Sequence, residues 1–205
     1  MTIKDFGARV ADVWEGLRPG TRRMVVGALQ QSAASASSSA GQKFFYDAHS
    51  DWELSRLLTA LDERSADTEA RKNPTNLREL RRVADATARV LESQTESAEI
   101  FIQLVTRALL RYDYARVEML ADALNRRFSA GEICEIVRQA EHAPVRALAF
   151  EALSQVPVSQ FFPLIDDPIY SEIVRTALEQ QAFEFESEDA RLLLEQLMAE
   201  DLFGE

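Results

Sequence analysis

A single cysteine, Cys134, excludes any disulfide within the chain and points to a reducing compartment. Glycine and proline are scarce, 7 and 6 in 205 residues, so long helices meet few breakers. No segment alternates β-branched or aromatic residues with polar ones, which leaves no place for a sheet. The two histidines, His49 and His142, sit in no His-Glu-x-x-His pattern, and neither follows a glutamate by three residues. A glycine-rich loop able to cradle phosphates is missing. The longest uncharged stretch, Met24 to Gln42, is mostly Gln, Ser, Ala and Gly and is too polar to span a bilayer. Met1–Phe6 carries no apolar core of a secretory leader. The expectation is a cytoplasmic chain with no catalytic, cofactor or metal residue and no membrane contact.

What is present favours helix. Ala, Leu, Glu and Arg are abundant, and the 46% hydrophobic content is enough for a folded core. Charge is unevenly spread. Residues 1–112 hold 16 Lys and Arg against 15 Asp and Glu, a net +1, whereas residues 113–205 hold 7 against 19, a net −12. An acidic half repels nucleic acid and anionic surfaces and attracts basic proteins.

Apolar residues recur at helical spacing along nearly the whole chain. Residues Ile3 to Leu17 predict a first helix, ended by Pro19-Gly20, and a second short one follows from Thr21. The Ser/Ala-rich tract 32–42 reads as a linker, which makes 1–31 a helical hairpin or docking arm and 43–205 an all-helical body. Phe44, Phe45, Tyr46 and Trp52 read as anchors locking the next helix to the core. Ser50 with Glu53, and Ser129 with Glu132, read as capping boxes. A charged loop is expected from Asp62 to Asn73. Asn73-Pro74 then opens a long helix with Leu77, Leu80, Ala84, Thr87 and Leu91 inward. The segment Ile100–Leu110 is apolar on most sides, as a central helix is.

Beyond Tyr114 the helices fall into pairs at 115–126 with 130–141, 144–155 with 158–166, and 168–182 with 187–198. The segment Pro144-Val145-Arg146-Ala147-Leu148-Ala149-Phe150-Glu151-Ala152-Leu153 resembles the first helix of a HEAT repeat. That resemblance, spread over residues 113–205, implies a curved helical scaffold that binds another macromolecule. The unit spacings, 29 residues (115 to 144) and 24 (144 to 168), are shorter than the roughly 40–47 of such repeats. The expected fold is all-α, with helical hairpins stacked as a short HEAT-like α-solenoid or an irregular bundle.

Two surfaces are candidates for recognition. Arg78, Arg82 and Arg89, members of a set that includes Arg81, face away from the apolar stripe of the helix at 75–92. Leu202-Phe203 follows acids near the chain end and has the look of a short docking peptide. Cys134, between Ile133 and Ile136, reads as a small buried hydrophobe. Asp167 reads as a helix cap before Pro168. The expected function is a non-catalytic protein-interaction scaffold or adaptor with an acidic repeat surface and a basic protein partner. The alternative is a nucleic-acid-associated protein using the arginine ridge.

Overall fold

The computed structural model describes residues 3–33 and 45–203, with the side chains of 32, 33 and 200–203 outside the described set. Among the described residues every regular element is helical, and the chain forms two compact units, Met1–Thr95 and Glu96–Glu205. No helix among them is long and apolar enough to cross a membrane.

The first unit opens with a 3₁₀ turn at Ile3–Phe6, followed by α1 (Ala8–Gly16), α2 (Pro19–Ala33), α3 (Ala48–Ala66), α4 (Thr68–Arg71) and α5 (Pro74–Gln94). The single first helix expected over Ile3–Leu17 is split at Gly7, whose φ of 124° and ψ of 163° lie far from any helical value. The charged segment Asp62–Asn73 is largely helical and not a loop. α3 runs on to Ala66, and Asp67 then accepts the Glu69 N–H to start α4. Charge alone does not break a helix when the residues are good helix formers.

α5 is held from beneath. Asn73 accepts the Asn76 N–H at its start, and Pro74 occupies the first turn, where a missing N–H goes unnoticed. Leu80, Val83, Ala84, Thr87, Ala88 and Leu91 are buried, and α5 packs on both α2 and α3. Each fully buried leucine of this face contributes about 2 kcal/mol.

Residues 3–31 lie against α3 and α5. Arg18, between α1 and α2, ties them down. Its backbone N–H and Nε donate to the two oxygens of Glu53 at 2.7 and 3.0 Å, and its Nη atoms donate to both Asp47 oxygens at 3.0 and 2.7 Å. Thr21 Oγ1 also donates to Glu53. The capping box of α3 is therefore Asp47 with Ser50, and Glu53 serves this staple instead. Of the tract 32–42, only Ser32 and Ala33 fall among the described residues, where they extend α2.

The second unit contains α6 (Ala98–Leu110), α7 (Tyr114–Arg127), α8 (Ala130–Gln139), α9 (Ala143–Leu153), a 3₁₀ turn at Val158–Gln160, α10 (Phe162–Ile165), α11 (Ser171–Phe183) and α12 (Glu188–Phe203). Here α6 lies beside α7, α8 beside α9, and α11 beside α12. Successive hairpins stack in order, α6 on α8 and α8 on α11, with α7 on α9. Two of the three pairs drawn from sequence are thus one helix out of step, whereas 168–182 with 187–198 corresponds to α11 beside α12, and Pro144–Leu153 forms the second helix of its hairpin. First helices begin at Ala98, Ala130 and Ser171, 32 and then 41 residues apart.

The hairpins are joined by polar clamps as well as by apolar packing. Phe101 of α6 meets Phe128 edge to face, with ring centroids 5.4 Å apart. Buried Gln181 of α11 donates to the carbonyls of Leu153 and Val156 at 2.9 and 2.8 Å, closing the end of α9. Tyr170 donates to Glu135 of α8 at 3.0 Å. Asp167 accepts the Ile169 N–H at 2.8 Å and so organises the turn before α11.

Candidate interaction surfaces

The arginines of α5 cluster on the exposed side of the helix. At 3.6 residues per turn, Arg78, Arg82 and Arg89 fall within about 40° of one another around the helix. Arg81 joins them, and all four are exposed. Together with Pro74, Leu77 and Asp85 they line an open groove of about 600 Å³. Leu77, expected inward, is half-buried at the base of this groove. Arg82 pairs with Glu79 at 3.0 Å. Arg78, Arg81 and Arg89 have no carboxylate partner among the described residues. Glu92 is buried.

A second groove of the first unit, about 400 Å³, lies between Phe6–Val10 and α3. Its charges satisfy one another: Arg9 pairs with Glu63 at 2.6 Å, Arg64 pairs with Asp67, and Arg64 Nε donates to the Phe6 carbonyl at 2.8 Å. Such a groove has little left to offer a ligand.

In the second unit a cleft of about 410 Å³ lies between α9 and α11, lined by Phe150, Thr176, Glu179, Gln180, Phe183 and Glu184. Phe183 is 74% exposed, and Phe185 just beyond it is 57% exposed. Large aromatics in water beside carboxylates suit a partner that is apolar and cationic together. Sequence reasoning missed this cleft. The alternation Phe183-Glu184-Phe185-Glu186 was the available signal, since two phenylalanines separated by acids at a helix end cannot both enter a core.

The remaining candidates scatter. Leu202 and Phe203 end α12, and their side chains lie outside the described residues. Of the aromatic anchors after the linker, the three described ones do not enter the core. Phe45 is 84% exposed, Trp52 is half exposed with the Arg56 guanidinium 4.5 Å from its ring, and Tyr46 donates to Asp51; Phe44 lies outside the described residues. α3 is anchored by Leu54, Leu57, Leu58 and Leu61 instead.

Cys134 is fully buried, and burial pushes its thiol up to about 12. His49 faces Glu53 at 3.8 Å from the solvent side. Among the described residues no three His, Cys, Asp or Glu side chains converge as a metal site. Compared with protein-family models, curated proteins and solved structures, the chain matches none.

Proposed function

We propose that this chain is a non-catalytic adaptor whose C-terminal unit recognises a basic protein. The observation that carries this reading is the α9–α11 cleft, where exposed Phe183 stands beside Glu179 and Glu184. An aromatic ring supplies contact area and a face for cations, and the carboxylates supply partners for Lys or Arg. The surrounding field has the same sign. Residues 96–205 hold 9 Lys and Arg against 21 Asp and Glu, a net −12. Such a field raises the association rate with a basic partner and weakens as salt is added.

Hairpins whose main packing is on their neighbours support a short α-solenoid similar to HEAT repeats, a design that leaves a long outer face for binding. The 41-residue step from Ala130 to Ser171 matches that repeat length, whereas the 32-residue step before it is shorter. A lone, buried Cys134 fits a reducing, cytoplasmic setting.

The test is affinity capture with the full chain beside a Phe183→Asp/Glu179→Lys/Glu184→Lys variant, at low and high salt, read by mass spectrometry. The expected result is a basic protein retained by the wild type, lost with the variant and released by salt. Equal retention by both chains, or retention indifferent to salt, overturns the reading.

A further inference from the structure

We infer that the α5 arginine groove is a second binding site, independent of the acidic cleft, and that its ligand is the phosphodiester backbone of a nucleic acid. Three observations lead there. The groove is lined by four guanidinium groups against the single carboxylate of Asp85. Arg78, Arg81 and Arg89 are not engaged by any described carboxylate, so their donors stay available. The helix beneath is immobilised by its buried face on α2 and α3, which fixes the row of cations in place.

Spacing favours a polymer with one charge per monomer. Arg78 and Arg89 are eleven residues apart, which at 1.5 Å per residue is about 16 Å along the helix axis. Each strand of a duplex presents a phosphate about every 3.4 Å of helix axis, so about five phosphates pass along this row. Arginine suits each of them, because its planar fork of N–H donors meets two phosphate oxygens at once.

The lining also defines what the groove does not read. It contains no Asn, Gln or aromatic side chain to recognise or stack on a base. Binding therefore rests chiefly on charge. The net −11 of the chain opposes long-range attraction, so the contact is short-range and confined to low salt.

The experiment is fluorescence anisotropy with the full chain and labelled oligothymidylate of about 16 nucleotides, a length that fits a single-strand site. A duplex of equal length and polyglutamate are run in parallel. Four phosphate contacts at about 0.7 of a salt-slope unit each make affinity for the single strand fall about fifty-fold between about 50 and about 200 mM salt. An Arg78→Gln/Arg81→Gln/Arg89→Gln variant keeps one contact and falls only about threefold over the same range. The matching triple Lys variant retains the wild-type salt dependence, which separates loss of charge from loss of fold. Binding to the duplex in place of the single strand supports the site and identifies the form it takes. Absence of binding to either nucleic acid at low salt, an unchanged slope in the Gln variant, or equal affinity for polyglutamate overturns the proposal. Equal polyglutamate binding would assign the groove to an acidic protein.

Discussion

The carboxylate of Glu132, in the first turn of α8, accepts the backbone N–H of Ala98, the first residue of α6, at 3.0 Å. Ser97 precedes α6 without making a side-chain cap, so the acid of one hairpin supplies the missing cap of the previous one. The same carboxylate lies near the positive ends of two helices. Glu132→Ala is expected to lower stability by about 1–2 kcal/mol, the worth of a lost cap. Glu132→Gln keeps an acceptor and should cost about half as much or less. Urea unfolding of the two variants, compared with wild type, measures the difference.

Glu53 couples the N-terminal helices to α3. Burial raises its pKa, but hydrogen bonds from the Thr21 hydroxyl, the Arg18 backbone N–H and the Arg18 side chain prevail and hold it below the usual carboxylate value. A folded pKa depressed below the unfolded one stabilises the fold above the unfolded value near about 4.3 and is lost as pH falls through the folded value. Acid unfolding followed by circular dichroism should therefore begin below about pH 4.3 and be less steep in Glu53→Gln. At neutral pH, Glu53→Ala should cost about 2 kcal/mol. That is less than a fully buried pair, because Arg18 retains access to water.

Cys134 should resist alkylation. Its thiol is buried in α8, and a value near 12 leaves almost no thiolate at neutral pH. Iodoacetamide at mildly alkaline pH should leave the native chain unmodified and label it fully in denaturant, as read by intact mass. Rapid labelling of the native chain would contradict the placement of α8.

Gly7 carries φ +124° and ψ 163°, a backbone region that only glycine enters freely. The nearest atom to an added Cβ is Arg64 Nε at 3.5 Å, an ordinary contact. Gly7→Ala should therefore cost about 1–3 kcal/mol through backbone strain and not through crowding. Thermal unfolding checks the magnitude, and replacement of Arg64 by a smaller side chain should not rescue it.

Phe183 is exposed in the isolated chain, so Phe183→Asp should change stability by about 0.5 kcal/mol or less. If the α9–α11 cleft binds the basic partner, the same substitution should reduce affinity at least tenfold, about 1.4 kcal/mol. A titration of the captured partner against both chains, beside their melting curves, separates the two effects.

Helix identity was legible because it rests on local spacing. The stripe Leu80, Ala84, Thr87 and Leu91 repeats at the helical period, and those residues are buried. Arg78, Arg82 and Arg89 were placed on one exposed face by the same arithmetic. Partnership between helices was not legible. Glu53 and Glu132 both stand three residues after a serine, and local rules assign each a cap within its own helix. Each instead reaches a distant segment, Arg18 in one case and Ala98 in the other. Two of the three helix pairs of the second unit were misplaced by one helix for a related reason. Alternating helices separated by short turns look the same whether a helix pairs with the one before it or the one after.

The sequence by itself determined that the chain is all-α, where most helices begin, and that acid gathers in its C-terminal part. Those properties follow from residue type and interval, which act over a few turns of backbone. Only the tertiary structure decided which helices lie side by side, which carboxylates serve distant segments and which aromatics stay in water. Each of those depends on what another part of the chain brings within a few ångströms, and no interval along the sequence encodes that distance.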